Sequence, residues 1–273
     1  MSLFDELYSH EDRESEELVP GILIGEVKEN WDSGHPGMVK VKLLLGTEEK
    51  DELDWMPVIV PYAGDGHGVY LLPEIGARVA VAFYMGQVQS PYVIGSIYSG
   101  EHTLPPGAAD EKNTVKTLYT QNGNSISILD GEDNGAVTIK TKSGHTIELN
   151  DEGNQISIQD GEGKNAVVID TEGGILKFQA EKKAVFRIGD KEVLTLDGEN
   201  GKVSVSADHI NLKAEQKLNL KGQNTTVEGG SATIKGQNVK AEAQASLELK
   251  GMTSLKAESS GIFQAKGSLM KLN

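Results

Sequence analysis

The six histidines, His10, His35, His67, His102, His145 and His209, are the side chains of this 273-residue chain most suited to holding a metal or moving a proton. They are scattered, with no H-E-x-x-H and no pair at ligand spacing. A threefold axis could gather three copies of His145 or His209 around an ion, but the expected environment of each is a turn or the solvent. With no cysteine there is no thiol nucleophile, thiolate site or disulfide, and no G-x-S-x-G elbow occurs. The carboxylate neighbours Glu132/Asp133 and Asp151/Glu152 have the chemistry of a glycosidase pair. They stand beside glycine in turn-like sequence, where solvated acids are the ordinary outcome. The GDGHG at 64–68 has the look of a phosphate loop but is followed by neither Lys-Ser/Thr nor a helix, and reads as a plain loop. The expectation is no catalytic, cofactor or metal site, and no enzymatic activity.

The elements that would position such residues are β throughout. Glycine is abundant at 32 and proline scarce at 8, and 5% of residues are aromatic. Between Gly21 and Gly100 five runs, GILIGEV, GMVKVKLLL, DWMPVIV, ARVAVAF and PYVIGSI, alternate or are wholly apolar, and loops rich in Gly, Pro, Asp and Glu separate them. Five strands in about 80 residues suit a small barrel of the oligonucleotide/oligosaccharide-binding (OB) type. Net charge is −15, distributed as −11 over residues 1–100, −8 over 101–200 and +4 over 201–273. An acidic head and few aromatics argue against a nucleic-acid partner. No apolar run is long enough for a signal peptide or a membrane span, so the chain is expected to be made in the cytoplasm as a soluble product.

Beyond a Pro/Gly/Ala connector the sequence becomes a repeat. Apolar pairs at spacing two run from Ile126/Ile128 through Val137/Ile139, Ile147/Leu149, Ile156/Ile158, Val167/Ile169 and Leu176/Phe178 to Leu218/Leu220, and units with Leu247/Leu249, Leu255 and Phe263 close the chain. Spacing falls from nine to eleven residues to seven or eight, as in a tapering rod. Two apolar side chains contribute at most roughly 3–6 kcal/mol, whereas ordering eight residues costs roughly 8–16 kcal/mol. Each unit therefore needs neighbours on both edges. One chain coiling on itself would supply them, as would three chains winding together. The absence of capping segments and the small residues Ala241, Ala257 and Ala265 favour three chains. Ile210, Leu212, Leu218, Leu220, Leu247, Leu249, Leu255 and Phe263 are the expected trimer core, in a needle of about 85 Å at about 4.8 Å per strand. The expected division is an acidic arm (1–18), an OB-fold domain (19–100), a connector (101–118) and a triple-stranded β-helix spike (119–273).

The stretch LPEIGARVAVAF followed by PYVIGSIYSG resembles the end of the OB domain of central spike proteins of contractile phage tails and of the VgrG spikes of type VI secretion. TKSGHTIELND and the units closing on GSLMKLN are similar to the triple-stranded β-helix of the same family, so that the resemblance covers residues 20–273. It implies a structural, homotrimeric spike beneath a tail tube that pierces a target cell envelope, assembled into a particle and deployed outside the producing cell. No large hub-like region precedes the barrel, which implies a separate baseplate hub protein. The connector leaves no room for a lysozyme domain. The H-x-H apex of certain spikes is absent, which implies a PAAR-type tip protein docking at Met270, Leu272 and Asn273. A trimeric tail fibre that binds or cleaves surface glycan is the alternative.

Overall fold

Valines alternating with small or charged residues build the first strands, because one face of each must be buried while the other meets water. The computed structural model describes residues 19, 21–44, 52–100 and 102–271, and divides into two units, Met1–Ala207 and Asp208–Asn273. The arm expected at 1–18 lies outside the described residues. Those residues are all-β, with one turn of 3-10 helix at Tyr84–Gly86.

Strands β1 (Ile22–Glu29), β2 (Met38–Leu43) and β3 (Glu52–Pro57) are followed by two short strands, β4 (Ala63–Gly64) and β5 (His67–Gly68), and then by β6 (Arg78–Phe83) and β7 (Pro91–Ser96). The five longer strands form one antiparallel sheet in the order β3-β2-β1-β6-β7. A parallel bridge, Val58 to Val93, and the Ile59 amide donating to the Val93 carbonyl at 2.8 Å join its two ends. The sheet thus curls into the half-barrel of an OB domain around Val27, Val39, Val41, Met56, Val79, Val81 and Val93, all fully buried, with Leu43 and Phe83 at the margin. Gly25 is a steric necessity, since a Cβ there would lie 2.2 Å from Val41 Cγ1. The GDGHG stretch is not a plain loop: it is the β4–β5 hairpin, turned at Asp65-Gly66 with Gly66 at φ 72°, as Asp-Gly between short strands favours.

From Val115 the chain folds back and forth as a meander. Strands β8 (Val115–Tyr119), β9 (Ser125–Leu129), β10 (Ala136–Lys140), β11 (Thr146–Asn150), β12 (Gln155–Gln159), β13 (Ala166–Asp170) and β14 (Ile175–Gln179) form a seven-stranded antiparallel sheet in chain order. A three-stranded sheet of β15 (Lys183–Ile188), β16 (Lys191–Asp197) and β17 (Lys202–Val205) follows. Here the strands find their neighbours within their own chain by hairpin pairing, an arrangement different from both coiling on itself and winding with two other chains. The loops of this part, such as NDEGN and TEGG, are long enough and rich enough in Gly, Asn and Asp to reverse the chain.

Residues 208–271 behave differently. The backbone is extended, with bends at 208, 215–216, 223–224, 230, 237–238, 244–245, 252–253, 260–261 and 268, seven or eight residues apart, and no strand is formed among the described residues. Nor do the described backbone groups of this segment hydrogen-bond to one another. All its described residues are exposed.

Candidate assembly surface

The register of the meander places every apolar pair opposite another. One column reads Leu118, Ile126, Ile139, Ile147, Ile158, Val167 and Phe178, and its neighbour reads Ile128, Val137, Leu149, Ile156, Ile169 and Leu176. Phe186–Leu194–Val205 and Ala184–Leu196–Val203 repeat the pattern in the next sheet, and Phe178 meets Phe186 edge-on at 6.5 Å between ring centroids. Except for half-buried Val167, every member of the two long columns is 39–61% exposed. The opposite face holds Thr117, Ser127, Thr138, Glu148, Ser157, Val168 and Lys177 in one row. Its Thr117 and Ser127 hydroxyls hydrogen-bond at 2.7 Å, and Ser157 is only 3% exposed. A sheet that shelters its serines and leaves its isoleucines open has a contiguous apolar surface of the kind that marks an interaction site.

The turns along both margins of this surface bond to one another. On one side the Asn124 side chain accepts from the Lys142 amide at 3.1 Å, His145 Nδ1 from the Gly161 amide at 3.2 Å and the Asn165 side chain from the Glu181 amide at 3.0 Å. The three acceptors recur one hairpin apart. On the other side the Asp151 amide donates to the Gly135 carbonyl and the Thr171 amide to the Asn154 carbonyl, both at 2.9 Å. The turns approach so closely that a Cβ on Gly161 would lie 2.0 Å from the Ser143 carbonyl oxygen. His145 is therefore a clasp between turns, and accepting at Nδ1 requires its proton on Nε2.

Aspartates brace the same turns from within. The Asn165 side-chain amide, joined by the backbone amides of Lys164 and Asn165, holds the Asp160 carboxyl below its usual range. Asn200 does the same for Asp197, through its side chain and its backbone amide. Asp110 is lowered by the Thr114 hydroxyl and amide. Lys164 is raised by Glu162 and Glu181, at 2.6 and 3.2 Å, which ties turn 160–165 to the next.

Of the residues with chemical potential, Glu132, Asp133 and Glu152 share one open surface cavity of about 750 Å³, which Lys112 also lines, whereas the histidines stand apart. Glu132 and Asp133 stand in the β9–β10 turn and Asp151 and Glu152 in the β11–β12 turn, all exposed. His209 is exposed in the extended segment, and His102 bonds the Ser99 hydroxyl at 2.9 Å. Among the described residues no three His, Cys, Asp or Glu side chains are placed to share a metal.

The OB domain is richer in exposed aromatics than its sequence suggests, since Trp31, Tyr62, Tyr70, Tyr84 and Tyr98 all face outward. Trp55 is stacked by His35 at 5.4 Å with Lys40 5.2 Å from its ring, while Asp32 holds His35 at 2.9 Å. The His35 bond and the Gly34 amide lower the Asp32 carboxyl.

Of the expected core positions, Ile210, Leu212, Leu218, Leu220, Leu247, Leu249, Leu255 and Phe263 all lie in the extended segment and are exposed in the single chain. Met270 is exposed as well, and Leu272 and Asn273 lie outside the described residues. Sequence reasoning found the apolar pairs of the meander but missed their mutual register and the side chains that clasp the turns. The signal was present as an Asn or His closing alternate turns, at 124, 145 and 165.

Residues 23–98 match the family of type VI secretion system/phage-baseplate injector OB domains. The chain is 31% identical over 81 residues to the type VI secretion system spike protein VgrG4b of Pseudomonas aeruginosa, which is 29% of this chain and 10% of that protein. It is 31% identical over 80 residues to the spike protein VgrG3 of Vibrio cholerae, covering 29% and 8% of the two chains. A third similarity, to the spike protein VgrG1c of Pseudomonas aeruginosa, is 31% over 107 residues, covering 36% and 15%. The chain thus matches less than a sixth of the length of these relatives. The half-barrel at residues 23–98 matches the injector OB domain, and through it the chain resembles the baseplate-spike family.

Proposed function

We propose that the protein is a structural, non-enzymatic central spike of a contractile tail or injection machine, working as a homotrimer. The observation that carries the reading is the segment 208–271, extended and bent at regular intervals with no backbone partner of its own. Backbone N–H and C=O groups removed from water must be paired, and two further copies wound alongside would pair them and enclose Leu212, Leu220, Leu249 and Leu255 on a common axis. In this reading residues 19–100 are the docking domain, 101–118 the connector and 119–273 the spike.

The open face of the meander fits the same assembly. Its thirteen column residues are about half exposed, and burying the remainder contributes roughly 1 kcal/mol each, or about 13 kcal/mol per chain. Three such sheets facing inward make a closed prism.

The exposed Trp31, Tyr62, Tyr70, Tyr84 and Tyr98 support docking of the OB domains on a baseplate hub under a tail tube, because Trp and Tyr dominate protein–protein hot spots. A PAAR-type protein covering the Met270 end, and passage of the needle through a target envelope outside the producing cell, complete the reading. Size-exclusion chromatography with light scattering tests it: a particle of three chains is expected, and a folded monomer at micromolar concentration overturns it. Release of reducing sugar from cell walls by the purified protein would move the function to a glycan-cleaving tailspike.

A further inference from the structure

We propose that copies of this chain meet first through the apolar face of the 115–205 meander, and that residues 208–273 wind together only on copies already joined there. The proposal rests on the trimeric-spike reading and adds an order of assembly with a surface that sets it.

The meander is complete before any partner arrives. Its strands pair within the chain, and its turns are clasped by Asn124, His145 and Asn165. Association through it therefore orders few new residues, and such preorganisation is what converts buried area into affinity. The surface is large enough. Thirteen partly exposed apolar side chains offer about 500 Å² of apolar area per chain, by the area that corresponds to their transfer energy at about 25 cal/mol per Å². A stable interface buries about 800 Å² a side, somewhat more than half of it apolar.

The occupant is a second copy meeting face to face. Each strand at a sheet margin carries a cation, Lys116 on β8, Lys177 on β14, Lys183 on β15 and Lys202 on β17; of the inner strands, β10 has Lys140 and β16 has Lys191, while β9, β11, β12 and β13 have none. Lysine on an edge strand discourages strand addition. The edges are blunted and the face is left open.

The tail is the reverse case. Its described backbone groups do not bond to one another, so a ladder of hydrogen bonds forms only when two other chains lie beside it. Ordering 66 residues in a three-body encounter is prohibitive for free chains. Three tails tethered to joined meanders meet instead at an effective concentration of about millimolar.

The test compares two full-length variants by light scattering and segment-resolved hydrogen exchange. Leu255→Asp is expected to remain a trimer, with exchange across 126–178 within about twofold of the parent and protection around 247–263 lost. Ile147→Asp is expected to be monomeric and to lose protection across 208–271 as well. A trimeric Ile147→Asp with a protected tail, or a monomeric Leu255→Asp, overturns the order. Because Ile147→Asp could disrupt its own sheet, the unsubstituted chain is also refolded from urea and pulse-labelled: 126–178 is expected to gain protection before 247–263, and tail-first or simultaneous protection overturns the proposal. A monomeric unsubstituted protein is a separate result, which removes the trimeric reading itself.

Discussion

Replacing Leu149 by alanine distinguishes a covered face from an exposed one. Leu149 lies in the second column between Val137 and Ile156 and is 46% exposed in the single chain. If that face stays in water, the substitution removes a half-buried side chain and costs about 1 kcal/mol, independently of protein concentration. If three faces close on one another, each copy loses an enclosed leucine at about 2–5 kcal/mol, or about 6–15 kcal/mol per trimer. The free chain already bears about 1 kcal/mol of each loss, which leaves about 3–12 kcal/mol per trimer for association. At 1.4 kcal/mol per tenfold, and with trimer formation depending on the square of the midpoint concentration, dissociation moves upward by about tenfold or more. Analytical ultracentrifugation over a dilution series reads that shift, with Thr138→Ala on the opposite face as the control. An unchanged association midpoint for Leu149→Ala, or an equal shift for Thr138→Ala, would refute the assignment of the interior face.

Three further outcomes follow from the turns and the barrel. Asp110, Asp160 and Asp197 have lowered folded pKa values, so their contribution is complete above the ordinary carboxylate pKa near 4 and is lost as pH falls through the folded values. Thermal melts between pH 7 and pH 2 should show stability declining only in that acid window, and the triple Asp→Asn variant should flatten the decline. Asn165→Ala removes the clasp on the Glu181 amide, and amide exchange there should quicken by about fivefold to tenfold, at about 1 kcal/mol per hydrogen bond, while exchange in the OB core is unchanged. Gly25→Val forces a Cβ into the space of Val41 Cγ1 and should destabilise the OB domain by about 1–3 kcal/mol or more, read as a lower urea midpoint for the Trp55 fluorescence transition.

The barrel strands were legible because alternation there is local and each run is bounded by Gly, Pro or acidic residues. Residues 79–83, V-A-V-A-F, state their own buried face. The apolar pairs of the repeat were legible for the same reason. What could not be read was which chain supplies each strand's neighbour, because Ile147/Leu149 has the same period whether it pairs with Ile158/Ile156 of its own chain or with another copy. That choice is made by turn chemistry, in particular by the close contact of Gly161 with Ser143 and the clasp at His145, and these act between residues 16–18 apart. The β4–β5 hairpin was missed although Asp65-Gly66 signals it, because strands of two residues leave no periodicity to find. The exposed aromatics of the OB domain were hidden by an average: 5% aromatic over the whole chain conceals their concentration in its first third.

Where loops shorten, the source of hydrogen bonds changes, and that change explains the two halves of the repeat. A hairpin needs a reversal, and the meander provides it through segments such as 130–135 and 160–165, where Asn and Gly close the turn and Asp160 caps it. In residues 208–271 the units are only seven or eight long, and Lys, Ala and Ser separate the apolar positions with little room for a turn. The described chain there bends but does not fold back on itself, and in the proposed trimer its pairing comes from the other copies. A sequence that shortens its loops along its length thereby passes from self-paired sheets needing only a covered face to single strands needing partners on both edges. The first kind pairs within its own chain; in the proposed assembly it holds the copies in register, and the second gains its stability from being held.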